Sequence, residues 1–310
     1  DQYLKLNNLP EVDDVSNMIK LLNNFGVVTK KINKSVLLES KNVQNITTDY
    51  DIVRKMRASI LILGPLLSRF GYAKISLPGG CAIGTRPIDI HLEGLKKLGA
   101  QFKIENGFVI GKVNSRLIGN KIKLAFPSVG ATENILMSSV LAKGETVIEN
   151  AAKEPEVVDL ANCLISMGCK IKSHGTDKIY IQGVDKLNSA EYDIISDRIV
   201  AGTYIIAALM LKSILEVKDF NPEHLSSLIK ILNNMGAKID IRKNSVLVNN
   251  NKTLKSCNIE TLPYPGFPTD LQAQLMALLC LVDGNSSIKE TVFENRFMHV
   301  PELNRLGAKI

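Results

Sequence analysis

The hydrophobic positions of this 310-residue chain alternate between two rhythms. Apolar residues first recur three apart, as in Ile19, Leu22 and Phe25, or Ile229, Leu232 and Met235. That spacing lines one face of a helix. Each such run ends in an apolar residue, a glycine and a small or apolar residue. The five instances are Phe25-Gly26-Val27, Leu98-Gly99-Ala100, Met167-Gly168-Cys169, Met235-Gly236-Ala237 and Leu306-Gly307-Ala308. A glycine in that place caps a helix in the left-handed conformation, where a Cβ would be strained. After it the period drops to two, as in Lys238-Ile239-Asp240-Ile241, and a turn leads to a second such run, Ser245–Val248. Both read as strands.

The capping glycines lie 73, 69, 68 and 71 residues apart. A period this regular marks one supersecondary unit per repeat. Further helices are predicted at Ala58–Phe70, Ala131–Leu141, Ala201–Leu211 and Leu271–Leu281, each followed by a short strand. Thr146–Ile148 and Thr291–Phe293 read as matching strands, closed by the turns Glu149-Asn150 and Glu294-Asn295. The repeat is therefore helix, strand, helix, strand, strand, in an α/β protein. Such repeats can stack as a solenoid or close into pseudo-symmetric domains of three. The polar stretch Gly183–Ser196 follows the third repeat. It divides the chain into a first domain, 1–195, with three repeats, and a second, 196–310, with two. The first repeat lacks its opening helix and the last stops one step into a strand. The expectation is that the parent protein carries more at both ends.

Composition narrows the picture. No apolar run is long enough for a membrane span, and no signal peptide opens the chain, so a cytoplasmic location is the default and no membrane contact is expected. The five cysteines (Cys81, Cys163, Cys169, Cys257, Cys280) form no Cys-x-x-Cys pair, which suggests neither zinc nor a disulfide framework. No metal and no cofactor is implied. The net charge of +7 admits nucleic acid or an anionic small molecule. The lysines are spread out and Trp is absent, so no base-stacking platform can be read and no nucleic-acid partner is expected. An anionic substrate accounts for the charge as well as a polyanion would, and so does a solvated surface.

The densest candidate chemistry lies in Leu77–His91, which carries Cys81, Arg86, Asp89 and His91 on a loop with Gly79, Gly80 and Gly84. Arg86 can grip a carboxylate or phosphate bidentately, and Cys81 beside it can be a reactive thiol. A plain turn and a small buried cysteine explain the same residues. The run Gly79–Thr85 comes near the nucleotide P-loop, but Thr85 and Arg86 replace its Lys and Ser/Thr, which argues against an ATPase. Three helix starts carry small or acidic residues: Ser128-Val129-Gly130, Ser196-Asp197-Arg198 and Pro268-Thr269-Asp270. Helix N-termini favour anions, although capping explains any one of them. Asp270 can be a general base or a helix-start carboxylate. Arg57 opens a predicted helix, where a cation is mildly unfavourable, so an external anion or a nearby carboxylate is expected beside it. His91 and His299 also stand at helix starts, and either can be structural.

Leu77–His91 resembles the signature loop of the UDP-N-acetylglucosamine enolpyruvyl transferases. So do Met56-Arg57-Ala58-Ser59, Pro127–Asn134, Glu149–Glu156, Phe267–Asp270 and Glu290–Leu303. The resemblance covers the whole chain, and the cysteine loop separates it from the sibling 3-phosphoshikimate 1-carboxyvinyltransferases. It implies a two-domain inside-out α/β barrel of βαβαββ units with pseudo-threefold symmetry. It also implies transfer of the enolpyruvyl group of phosphoenolpyruvate to the 3′-hydroxyl of UDP-N-acetylglucosamine with release of phosphate, the first committed step of peptidoglycan synthesis. By the same resemblance Cys81 is the acid near C3 and the site alkylated by fosfomycin, Asp270 the base and Arg86 the phosphate-binding arginine. Pro87, Ile88, Asp89 and Ile90 match the uridine loop, and Ser128, Val129 and Gly130 the helix start near the diphosphate. Arg57, His91, Val292 and Arg296 match other cleft positions. Phe126 departs from the pattern, standing where some members have a lysine. The family's Lys-Asn pair would precede Asp1, and two of its arginines would follow Ile310.

Overall fold

The computed structural model describes residues 3–43, 47, 56–77, 88–249 and 253–310. Those through Ile194 form one compact unit, and Ile195–Ile310 form another.

The first unit begins with β1 (Tyr3–Asn7), α1 (Asp13–Asn24) and a hairpin of β2 (Val28–Ile32) and β3 (Ser35–Glu39). A 3-10 turn, Arg57–Ile62, then runs into α2 (Leu63–Phe70), followed by β4 (Tyr72–Ser76), α3 (Asp89–Lys97), β5 (Gln101–Glu105) and β6 (Phe108–Lys112). The third repeat is β7 (Lys121–Lys123), α4 (Val129–Ser139), β8 (Glu145–Glu149), α5 (Pro155–Ser166), β9 (Lys170–Lys172) and β10 (Lys178–Gln182), and β11 (Ala190–Asp193) completes the unit. The second unit opens with α6 (Arg198–Met210), β12 (Ile214–Lys218), α7 (Ser226–Asn234), β13 (Ile239–Arg242) and β14 (Ser245–Asn249). Then come β15 (Asn258–Glu260), a 3-10 turn Thr269–Leu271, α8 (Gln272–Leu279), β16 (Ser287–Lys289) and α9 (Val300–Arg305). Among the described residues no helix is long and apolar enough to cross a membrane.

One sheet plan recurs. In the order β7-β8-β10-β9, the first pair is parallel and the others antiparallel. The order β11-β1-β3-β2 repeats it, with Leu4 of β1 opposite Ala190 of β11. The last strand of the first unit thus pairs with its first, and the unit closes on itself. β4-β6-β5 and β12-β14-β13 keep the antiparallel part, and β15 with β16 the parallel part. The full repeat, Lys121–Gln182, is therefore βαβαββ, the unit the resemblance implies; the periodicity alone missed its first strand, which precedes the first helix.

All five capping glycines adopt the left-handed conformation, with φ of 91, 99, 95, 96 and 98° at Gly26, Gly99, Gly168, Gly236 and Gly307. At each, the glycine N–H donates three residues back and the next N–H five residues back, as in Gly236 to Asn233 and Ala237 to Leu232. This is the Schellman arrangement, which satisfies two otherwise orphaned helix carbonyls.

Two expectations are corrected. Thr291–Phe293 is not a strand, and the matching strand lies earlier, at Ser287–Lys289. Thr291 N–H donates to the Thr261 hydroxyl and the next two N–H groups to the Glu290 carboxylate, so side chains take the donors that a ladder would use. The helix expected at Ala58–Phe70 is divided, a 3-10 turn leading into an α-helix, and the helix expected from Leu271 is an α-helix from Gln272 that a 3-10 turn, Thr269–Leu271, precedes.

Two apolar cores fill the units. One joins Leu21, Leu63, Leu95, Ile135 and Ile148, and the other Ile205, Leu228, Leu232, Leu275 and Val246. Close approach in the first depends on Gly64, where a Cβ would come within 2.3 Å of Asn134 Oδ1.

Candidate active site

Cys81, Arg86 and Pro87 lie outside the described residues. The remaining candidates fall into two groups, one in each unit.

In the first unit the group forms around Asn134, a fully buried residue of α4. Its Oδ1 accepts from Gly64 N–H at 2.8 Å, so the amide orientation is fixed. Its Nδ2 donates to the Ile60 carbonyl at 3.0 Å and meets His91 Nδ1 at 3.2 Å. An amide nitrogen only donates, so His91 Nδ1 accepts and its proton sits on Nε2. Burial of the imidazole, and then the Arg57 guanidinium, push the His91 pKa down to about 4, with Asp89 opposing. The ring is therefore a neutral Nε2–H donor near neutral pH. A Cβ on Gly130 would stand 3.5 Å from that nitrogen, so the N-terminal turn of α4 packs on the imidazole. Ser128 caps that helix, its hydroxyl accepting from Ala131 N–H at 3.3 Å. The structure thus brings Arg57, His91 and Gly130 together at the start of α4, with Ile88 and Asp89 at the start of α3. Ile90 packs against the core. Arg57 opens a 3-10 turn rather than an α-helix and interacts with neighbouring protein groups.

Glu133, also on α4, is a group that the sequence reading passed over. Burial, and then Glu156 and Glu154, raise its pKa to about 7.

In the second unit Asp270 lies in the turn Thr269–Leu271, and Arg296 Nη2 meets its Oδ1 at 2.8 Å. The Asp270 side chain is 56% exposed and that of Arg296 only 18%, so the pair presents the carboxylate outward. The Phe293 ring lies against the guanidinium, 5.6 Å from centroid to Cζ. No side chain caps this turn, in contrast to Asp197, whose carboxylate accepts from Ile199 and Val200 N–H at the head of α6. Capping therefore accounts for Ser128 and Asp197, while Asp270 is engaged by Arg296 instead. Glu290 joins the group, bonded to Thr269 and to the backbone of Val292 and Phe293. Its signal in the sequence, an acid just before a predicted strand, did not distinguish it from a surface residue. His299 heads the short helix α9, its pKa lowered by burial.

None of the four described thiols is activated. Burial pushes Cys163 up to about 11 and Cys169 to about 12, and raises Cys257 and Cys280. Among the described residues no cluster of three or more His, Cys, Asp or Glu side chains is placed to hold a metal ion.

The EPSP synthase (3-phosphoshikimate 1-carboxyvinyltransferase) family matches the chain over residues 1–310. The UDP-N-acetylglucosamine 1-carboxyvinyltransferase of Pelagibacter ubique is 50% identical over 310 residues, 100% of this chain and 74% of that protein. The chain belongs to the UDP-N-acetylglucosamine 1-carboxyvinyltransferase family. Another member, UDP-N-acetylglucosamine 1-carboxyvinyltransferase 2 of Carboxydothermus hydrogenoformans, is 51% identical over 309 residues, 99% of this chain and 74% of that one. The α/β fold is that of the enolpyruvyl transferases. The crystal structure of NikO from Streptomyces tendae superposes with a TM-score of 0.87 at 21% identity, over 99% of this chain and 73% of that one. EPSP synthase from Acinetobacter baumannii gives 0.67 at 19% identity, over 93% and 68%.

Proposed function

We propose that this chain transfers the enolpyruvyl group of phosphoenolpyruvate to the 3′-hydroxyl of UDP-N-acetylglucosamine and releases phosphate. The observation that carries this reading is identity of 50% with a 1-carboxyvinyltransferase of that acceptor along the entire chain. In the first step the hydroxyl oxygen adds to C2 of phosphoenolpyruvate while C3 takes a proton. In the second, the tetrahedral adduct loses a C3 proton and inorganic phosphate, and the double bond returns. Asp270 takes the proton of the attacking hydroxyl, and Arg296 holds that carboxylate through its Oδ1. Cys81 supplies the C3 proton and Arg86 grips the phosphate, as the sequence resemblance suggests. The start of α4, with Ser128, Val129, Gly130 and the Nε2–H of His91, offers donors to the diphosphate, and Arg57 adds charge. Pro87 through Ile90 border the uridine, and Val292 the sugar. Residues 1–195 and 196–310 act as the two domains of a cytoplasmic enzyme that needs no metal or cofactor.

The test is phosphate release by the full-length protein. Release with phosphoenolpyruvate plus UDP-N-acetylglucosamine, and none with shikimate 3-phosphate, is the expected result. The reverse preference would assign the chain to the sibling activity. Fosfomycin should add one adduct, lost in Cys81→Ser.

A further inference from the structure

We propose that Glu290 is a positioning residue that fixes the aim of Asp270 and of the Val292 backbone together. This rests on the carboxyvinyltransferase reading, in which Asp270 is the base.

Glu290 is half-buried and follows directly on β16. Three donors converge on its carboxylate. Thr269 Oγ1 donates to Oε2 at 2.9 Å, while Val292 N–H and Phe293 N–H donate to Oε1 at 2.8 and 3.1 Å. The first donor belongs to the residue immediately before Asp270. The other two belong to the segment that leads to Arg296, Asp270's partner. One carboxylate therefore ties the turn bearing the base to the segment bearing the cation.

The same segment is fixed at its base. Thr261 is fully buried and receives Thr291 N–H at 2.9 Å, while its own N–H donates to the Lys289 carbonyl at 2.9 Å. The Thr291 hydroxyl returns a bond to the Thr261 carbonyl. Glu290 thus projects from a rigid platform. The Phe293 ring, held through its own N–H, lies against the Arg296 guanidinium and limits the directions from which Arg296 reaches Asp270. Charge-assisted bonds from backbone N–H to carboxylate are strong and directional, and a base must keep hydrogen-bond reach of its proton. Cutting the Thr269 link frees the turn without altering Asp270, Arg296 or any apolar contact of the core.

The experiment compares steady-state phosphate release by Thr269→Val, Thr269→Ser, Glu290→Ala and Glu290→Gln in the full-length enzyme. Thr269→Val removes the hydroxyl at nearly constant volume, and Thr269→Ser restores it. Glu290→Gln keeps an oxygen for the two N–H groups and gains an NH2 that can donate to the Thr269 hydroxyl oxygen. The expected result is a kcat loss of about 10- to 100-fold in Thr269→Val and Glu290→Ala, with KM for UDP-N-acetylglucosamine within about threefold. Thr269→Ser and Glu290→Gln should recover most of the rate. A Thr269→Val enzyme with wild-type kcat, or a loss that Thr269→Ser shares, overturns the assignment. Asp270→Asn separates the premise: full activity in that variant removes Asp270 as the base, whatever Glu290 does. If Glu290→Ala does not fold, Thr269→Val alone decides. If the wild type releases no phosphate, the activity reading falls instead. The clamp is then read from the Arg296 Nε–H NMR signal, which Thr269→Val should shift and Thr269→Ser restore. An unmoved signal overturns it.

Discussion

At the scale of single residues, a buried histidine and a half-buried glutamate on neighbouring helices pull stability in opposite directions with pH. His91 titrates at about 4 when folded and near 6.5 when unfolded. Between those values the unfolded chain binds the extra proton, so stability rises with pH by about 3 kcal/mol in all. Glu133 titrates at about 7 when folded, against 4.5 for the free side chain. There the folded chain binds the extra proton, and stability falls by about 3 kcal/mol as pH climbs from 4.5 to 7. The two slopes cancel over most of their common window. Glu133→Gln should unmask the histidine: urea unfolding at pH 4.5 and 6.5 should show the variant gaining about 2 to 3 kcal/mol, where the wild type stays level within about 1. A variant as flat as the wild type would refute the burial argument for His91. Asn134 holds that histidine and two backbone groups. Asn134→Ala leaves Gly64 N–H and the Ile60 carbonyl buried without this partner, and should cost about 2 to 4 kcal/mol in the same measurement. This site was only half legible in the sequence. Ser128 is a cap, and caps are local. The partners of Asn134 lie 70, 74 and 43 residues away, so nothing short of the fold names them.

At the scale of elements, the Schellman caps show why the repeat could be read at all. A cap involves six consecutive residues, its glycine is demanded by one dihedral angle, and so the period survives in the sequence. The five caps are not equivalent in space. A Cβ on Gly99 would meet nothing within 4 Å, whereas on Gly168 it would stand 2.7 Å from Asn188 Nδ2. Gly99→Ala therefore isolates the left-handed strain and should cost about 1 kcal/mol, while Gly168→Ala adds a contact that Asn188 must relieve and should cost more. Equal losses in thermal or urea unfolding would show that Asn188 yields freely. The strand misplaced at Thr291–Phe293 is the converse case. Its match to Thr146–Ile148 and its strand-forming residues are genuine, but the acceptors that decide it are the Thr261 side chain, 30 residues back, and the Glu290 carboxylate. Periodicity carries no information about either. The 3-10 starts at Arg57 and Thr269 escaped for a related reason, since the apolar spacing that marks a helix does not fix how tightly its first turn is wound.

At the scale of the whole molecule, the charge of +7 left anionic substrate and polyanion equally open, and the distribution of the ion pairs bears on the choice. Basic side chains on the sheets are interleaved with acids. Lys121 and Lys178 both reach Glu149, at 3.1 and 2.8 Å, and Lys5 meets Glu191 at 2.7 Å. Arg242 lies between Glu216 and Asp240 at 2.7 and 3.2 Å, and Lys289 meets Glu260 at 2.8 Å. Such exposed pairs add little stability. Their effect is on the field: opposite charges a few ångströms apart cancel well inside the screening distance of about 8 Å at physiological salt, so these paired side chains, among the described residues, add nothing to a positive stripe. Binding to nucleic acid depends on such a stripe, and a protein that neutralises six or more phosphates loses about a thousandfold in affinity between 50 and 200 mM salt. A small anion held by a few converging donors is far less sensitive. The prediction is that KM for phosphoenolpyruvate rises by no more than about fivefold across that range, while a single-stranded 20-mer binds no tighter than about 100 μM at the upper salt. Submicromolar binding of the oligonucleotide, falling steeply with salt, would overturn the small-anion reading. It would mean that lysines outside these pairs converge where the pattern of pairing gives no sign of it.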